Sequence, residues 1–365
     1  MSVATAALGD VCETLSGFAW GAAKFNQEQR GVRIIRIQNV DNGANDFVYW
    51  DQPYDQRFII RNGDLLLTLS GSFRIASWNR GEALLNQRIV KLTPSEKLDR
   101  EWLLYVLRER LGEIERLGKH ALVNNVSLSD LRKMQIPLPP LAEQRRIARI
   151  LDAADAARAK RRAALAKLDL LPQAIFLELF GDPIKNPKEW PTSALLDVCS
   201  PKQWPTISGS QLTTSGFPVF GANGHIGFYS SYNHEEPTVL ITCRGATCGT
   251  INVSPPKCYV TGNAMALDNP DEKRISIAYL EWVLRLRGVH KAISGTAQPQ
   301  ITRQNLHSIS LPLPPLELQR EFARRVAAVE KLKAAQRASL AKLDALFASL
   351  QHRAFRGELF AIQAE

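Results

Sequence analysis

Two stretches decide how this chain must be read: IPLPPLAEQRRIARI, Ile136 to Ile150, and LPLPPLELQREFARR, Leu311 to Arg325. They are the same sentence written 175 positions apart. Pro137, Leu138, Pro139, Pro140, Leu141, Gln144, Arg145, Ala148 and Arg149 recur as Pro312, Leu313, Pro314, Pro315, Leu316, Gln319, Arg320, Ala323 and Arg324. LAKLD at Leu165 to Asp169 returns as LAKLD at Leu340 to Asp344. Agreement of this kind at a fixed offset marks an internal duplication.

Upstream the echo is fainter. LGDVC at Leu8 answers LLDVC at Leu195, and LLLTLSG ending at Gly71 answers VLITCRG ending at Gly245. Before each proline run stands a short helix signal, VSLSDL from Val126 and ITRQNL from Ile301, with Ser127 and Thr302 as N-caps. The order is block, proline hinge, long helix, then the same again.

The physics of the hinge is plain. Prolines fix φ and force the preceding residue out of the α region, so the chain leaves each block extended, and a helix can begin only afterwards. Its apolar seam is predicted at Ile147, Leu151, Ala154, Leu165, Leu168, Ile175 and Leu179 in the first copy. The second seam is Phe322, Val326, Val329, Leu340, Leu343, Phe347, Leu350 and Ala354. Steps of three and four on an alanine-rich background are coiled-coil spacing, and so narrow a stripe needs a partner. The two helices are therefore expected to pair antiparallel, as rods of roughly 60 Å at 1.5 Å per residue. Pro172 falls on the first seam and should kink or end that helix. The competing expectation is that each helix packs on its own block.

The blocks read as mixed and β-rich, with runs such as RIIRIQNV from Arg33 and TVLITCRGATCGTINV from Thr238 broken at Gly or Asn turns. Each holds one helix candidate, REWLLYVLRERLGEIERLG from Arg100 and SIAYLEWVLRLRGVHKAI from Ser276. The expected division is a first block at 1–140, a central helix at 141–180, a second block at 181–315 and a C-terminal helix at 316–365. The fold class is mixed α/β in two copies with pseudo-two-fold repetition.

Composition narrows the function. The chain has 365 residues, 45% of them hydrophobic and 22% charged, with a net charge of +10. Seven of those ten charges sit on the helical segments 141–180 and 316–360, so the blocks would have to touch nucleic acid through local patches. No long apolar run and no basic leader followed by an apolar core is seen at the N-terminus, which makes a cytoplasmic protein the expectation. Five cysteines without dense spacing fit a reducing compartment. Cys243, Cys248 and Cys258 with His225 and His234 invite a zinc reading, but paired C-x2-C knuckles are absent and buried strand cysteines are expected instead.

Catalytic constellations are missing from the sequence. GANGHIG at Gly221 leads into strand-like FYSSYN and opens no helix, so it reads as a glycine hairpin and not a phosphate loop. SPPK at Ser254 puts Lys257 where a base-stacking aromatic would have to stand. Asp64 and Glu82 lack the nearby ExK of a nuclease and are expected to be turn and surface residues. No metal or cofactor is expected on this chain.

Two variable blocks, each followed by PLPPL..Q.R and a long helix with a late LAKLD, resemble the specificity subunit of type I restriction-modification enzymes. That resemblance implies a non-catalytic subunit. Each recognition domain would read one half of a split DNA sequence, and the paired helices would fix the gap. Two methylation subunits, carrying the S-adenosylmethionine, would dock along the helices, and two restriction subunits would complete a nuclease.

Groove-reading chemistry asks for Arg on guanine and Asn or Gln on adenine. The candidates are Arg36, Gln38, Asn39, Arg74 and Arg88 in the first block, and Asn223, His225, Arg244 and Asn263 in the second. For partner contact they are Gln144, Arg145, Arg149, Gln319, Arg320 and Arg324, repeated with no evident packing reason. The alternative is a coiled-coil assembly protein whose blocks bind proteins or glycans, and binding that ignores salt would mark it.

Overall fold

The computed structural model describes residues 4–41, 43–71, 73–119, 126–221, 224–295 and 298–359. The chain forms two units: Met1–Arg161 with Ser339–Glu365, and Arg162–Ala338.

In unit one a four-stranded antiparallel sheet runs in the order Cys12–Ser16, Ile89–Pro94, Leu65–Thr68, Ile75–Ser77. A second sheet is ordered Val48–Trp50, Val32–Ile34, Ala83–Leu84, Ile59–Ile60, with Ile34 and Leu84 paired in parallel. Unit two repeats the plan. Its first sheet is Ser200–Gln203, Ala264–Asp268, Val239–Thr242, Ile251–Val253, and its second is Gly224–Tyr229, Phe217–Gly221, Tyr259–Val260, the last two again parallel. Leu65–Thr68 and Val239–Thr242 are buried at every residue, which is why these central strands read as continuous apolar runs and not as alternation. Two-stranded ribbons close each unit, Thr5–Ala7 with Gln135–Pro137 and Thr192–Ala194 with Ser310–Pro312.

The hinge is held by an aromatic anchor in both copies. Trp102 Nε1 donates to the Pro137 carbonyl at 2.9 Å, and Tyr279 Oη donates to the Pro312 carbonyl at 2.7 Å. Each ring sits early on its block helix. Arg100–Glu109 is capped by Asp99, which accepts from the Glu101 and Trp102 amides, and Ile277–Arg287 is capped by Ser276. Both block helices are shorter than their sequence patterns predict. The first breaks at Arg110 before a second helix, Leu111–Lys119, and the other stops at Gly288, whose φ of 70° suits a residue without Cβ. Ser127 caps Leu128–Lys133 as expected, while Thr302 takes the Asn305 amide only at the opening of a 3-10 segment, Gln304–Ser308.

The long helices are Leu141–Phe180 and Leu316–Phe355. Within unit one their segments run antiparallel, with Arg158 Nε 2.6 Å from Asp344 Oδ1 and Arg146 donating to the Leu359 carbonyl. Unit two shows the same sense, Lys333 Nζ lying 2.8 Å from Asp169 Oδ1 and Arg325 Nη1 3.6 Å from Glu178 Oε1. Within each unit the helix segments touch both their block and each other. Ile147 and Leu151 join Trp102, the block core and Ala354 in one apolar cluster, and Phe176, Phe180 and Phe322 join Tyr279 in another.

Pro172 does not end the helix and stays on the buried seam, which corrects the expectation that its ring would end the helix there. The buried stripe steps by four through Leu168, Pro172, Phe176 and Phe180, so Ile175 and Leu179 are only half-buried. Phe176 and Phe180 meet Tyr279 and Phe322 at centroid distances of 4.8 to 5.5 Å. Burying two phenylalanines, at about 1.5–3 kcal/mol each, offsets the roughly 3 kcal/mol cost of the missing hydrogen bond. The helix end is closed by Gly181 at φ 78°, by Lys188 Nζ on the Glu178 and Leu179 carbonyls, and by Trp190 Nε1 on the Phe180 carbonyl.

Candidate nucleic-acid interface

One backbone circuit frames the ends of the two inner strands, the same rim of the sheet in both units. After the central strand, Leu69 N donates to the Arg88 carbonyl at 2.8 Å, and Cys243 N donates to the Asn263 carbonyl at 3.2 Å. Val126 N then donates to Leu69 O, and Ile301 N to Cys243 O. Gly71 and Gly245 take the left-handed turn beyond, at φ 73° and 87°. Arg74 and Arg88 in unit one, and Arg244 and Asn263 in unit two, are thereby brought to corresponding edges, and all four are exposed.

In unit two the edge is concave. Arg244 and Asn263 line a hollow of about 760 Å³ with Lys202, Gln203, Trp204 and Tyr259. Lys202 Nζ stands 3.8 Å from the Trp204 ring centroid, a cation on an aromatic face. Arg244 also borders a hollow of about 620 Å³ flanked by Gln298 and Gln300. The sequence reading missed Lys202, Gln203, Gln298 and Gln300. The signal was a polar KQW beside a strand end and glutamines on both sides of Pro299.

The other block candidates separate. Arg36 Nη2 lies 2.9 Å from Asp46 Oδ2 and Gln38 Nε2 donates to the same oxygen at 2.6 Å, so both are tied to one acid. Asn39 is 2% exposed; its Oδ1 accepts the Arg36 amide at 2.7 Å and its Nδ2 donates to the Ala44 carbonyl at 2.8 Å. It holds the loop from inside, which corrects its placement among base readers. His225 is exposed on Gly224–Tyr229, its ring edge-on to Phe228 at 4.9 Å. Asn223 lies outside the described residues. The GANGHIG glycines do belong to a hairpin, Gly221 pairing with Gly224.

The repeated glutamines also point inward. Gln144 Oε1 accepts the Asp99 amide at 2.7 Å, and its Nε2 donates to the Lys97 and Pro139 carbonyls at 3.0 and 2.7 Å. Gln319 does the same, with the Ser276 amide and the Arg274 and Pro314 carbonyls all at 2.9 Å. Both are fully buried. Each clamps the proline hinge to the start of its block helix, so their identity has a packing cause and partner contact is not it. The arginines beside them are exposed: Arg145 lies 3.7 Å from Asp99, Arg149 faces solvent, and Arg320 and Arg324 pair with Glu317 and Glu321 along their own helix. Exposed leucines that the seam analysis did not single out stand on the helices as well, Leu170 at 68%, with Leu171, Leu177, Leu332 and Leu346.

The cysteines are structural in character. Cys12, Cys199, Cys243 and Cys258 are buried, and burial pushes the Cys12 and Cys199 thiols up to about 12. His234 is engaged on both nitrogens, Nδ1 lying 2.6 Å from Asn233 Oδ1 and Nε2 3.0 Å from Asp268 Oδ1. Among the described residues no three His, Cys, Asp or Glu side chains gather as metal ligands, and no helix is long and apolar enough to cross a membrane. Asp64 pairs with Lys91 at 2.9 Å and Glu82 with Arg61 at 3.0 Å.

Comparison with known proteins agrees with this geometry. The family model described as a type I restriction modification DNA specificity domain matches twice, at residues 2–167 and 187–343. The type I restriction enzyme EcoBI specificity subunit of Escherichia coli is 25% identical over 407 residues, covering 97% of this chain and 85% of that protein. The crystal structure of a type I restriction-modification system S subunit from M. genitalium superposes with a TM-score of 0.63 at 17% identity, over 96% of both chains. A structure describing complex assembly and conformational transition of the type I R-M system gives 0.55 at 21% identity, over 98% of both chains. At these identities the two structures speak for the fold.

Proposed function

Because the chain belongs to the family of type I restriction-modification DNA specificity subunits and carries two copies of its domain, we propose that each unit reads one half of a bipartite DNA site and that the long helices set the gap and receive two methylation subunits. The observation that carries this reading is the repetition, in both units, of one sheet order ending in one exposed polar edge. Arginine, asparagine and glutamine at such an edge are the side chains that match guanine and adenine in the major groove. Arg74, His225 and Arg244 join the edge as base or phosphate contacts. Arg36 and Gln38 reach DNA only by exchanging Asp46 for it.

Docking of the methylation subunits fits the exposed leucines and repeated arginines on the helices, since apolar side chains standing in water beside charge are a common mark of protein interfaces. The chain supplies no chemistry of its own in this scheme. S-adenosylmethionine binds the methylation subunits, and two restriction subunits join to make the nuclease.

Reconstitution tests the proposal. The purified full chain is expected to methylate nothing. With cognate methylation subunits it should direct methyl transfer to adenines in a two-part sequence, with DNA affinity falling steeply as salt rises. Transfer by the chain alone, or DNA binding indifferent to salt, would refute it.

A further inference from the structure

We propose that Arg88 and Asn263 occupy one and the same reading position in the two units, and that this position selects guanine in one half-site and adenine in the other. The inference rests on the specificity-subunit reading above and adds to it the residues that discriminate.

Their equivalence comes from the backbone, not from side-chain likeness. The Arg88 carbonyl accepts from Leu69 N and the Asn263 carbonyl from Cys243 N, in each case the first residue after the central strand. The next residue, Ile89 or Ala264, then pairs with the last strand residue, Thr68 or Thr242. The two residues thus stand at the same rung of corresponding sheets, and of the two only Arg88 has a positive φ.

Their freedom sets them apart from their neighbours. Both are exposed, and among the described residues none hydrogen-bonds to the Arg88 guanidinium or the Asn263 amide, whereas Arg36, Gln38 and Asn39 are held by their own loop. Arg88 sits at φ 68°, a left-handed conformation that costs an L side chain free energy and that persists where surrounding structure imposes it. The turn that holds it is bounded by the Leu69 N bond to the Arg88 carbonyl and by Gly17, whose missing Cβ would lie 2.1 Å from the Asn86 carbonyl oxygen. A strained, unpaired, exposed arginine beside a DNA-binding edge is pre-aimed.

The chemistry then differs by one residue. A guanidinium fork matches the O6 and N7 acceptors of guanine, and a carboxamide matches the N7 acceptor and N6 donor of adenine. Arg74 near Arg88, and Arg244 and Lys202 near Asn263, supply cations for the flanking phosphates.

The test uses the full chain with its methylation subunits on a randomised DNA library, read by methylated-base sequencing. Arg88→Asn is expected to shift one base pair of one half-site from G·C toward A·T by about ten- to a hundred-fold. Asn263→Arg should shift one pair of the other half-site the opposite way. The untouched half-site in the same chain reports that the protein is folded, and asparagine tolerates the left-handed conformation at 88. Arg88→Lys, which keeps charge and loses the fork, should flatten the preference at that pair while binding persists. An unchanged site at the wild-type rate would overturn the inference. So would a uniform loss across all sequences with a shallower salt dependence, which marks a phosphate contact. Failure of the wild-type complex to methylate any two-part sequence would instead overturn the reading beneath it.

Discussion

Replacing Gln144 by leucine should cost unit one its stability before it costs any partner. The side chain is fully buried and makes three hydrogen bonds of 2.7 to 3.0 Å, to the Asp99 amide and the Lys97 and Pro139 carbonyls. Leucine fills much of the same space and makes none of them. Lys97 is exposed, so water can reach its carbonyl, but the Asp99 amide and the Pro139 carbonyl are left without that partner. At about 1–3 kcal/mol for each buried group left unmade, the loss is about 3 kcal/mol. For a domain of this size that is a drop in Tm of roughly 6–12 °C. Arg145→Ala next door removes only a pair 3.7 Å long with its arginine 59% exposed, worth about 0.5 kcal/mol or less. Thermal and urea denaturation of the full chain, with capture of methylation subunits measured in parallel, separates the two. A Gln144→Leu chain that melts like the wild type and fails only to bind its partner would show that the buried clamp has been misjudged.

Two further outcomes follow from the same packing. Tyr279→Phe keeps the ring against Phe176 and Phe180 but orphans the Pro312 carbonyl, and should lower the urea stability of unit two by about 1–2 kcal/mol; an unchanged midpoint would deny the anchor its role. Burial holds the Cys12 and Cys199 thiols up at about 12, against roughly 8.5 for an exposed thiol. Their protonated forms therefore favour the fold, a contribution fully present below about pH 8.5 and lost as pH rises toward 12. At pH 8 a thiol reagent should modify half-buried Cys248 first and leave Cys12 and Cys199 to react only on unfolding; early labelling of Cys12 would contradict the burial.

Much of the architecture was legible because it is periodic. The repeated hinge located both long helices, and continuous apolar runs located the central strands. What escaped was direction. A polar residue repeated on a helix looks the same whether it faces water or protein, and the partners of Gln144 and Gln319 are the Asp99 and Ser276 amides, 45 and 43 residues away. Asn39 failed likewise, since nothing local announces that Ala44 will fold over it. Pro172 misled because helix propensity was weighed without the aromatic cluster that the following turns reach. The exposed residues Arg74, Arg88, Arg244 and Asn263 were nominated one by one from their chemistry. That Arg88 and Asn263 correspond needed the ladder, because their side chains share nothing.

Unit two is one unbroken stretch, Arg162–Ala338, while unit one waits for Ser339 onward. On the ribosome, then, the module that begins first finishes last. Until the turns after Ser339 emerge, Trp102, Tyr105, Ile147 and Leu151 lack Phe347, Ala354 and Phe355 and present bare apolar surface to water or to a chaperone. A stop codon placed just after Ala338 would accordingly cripple the unit built on the stretch up to Arg161 and spare unit two.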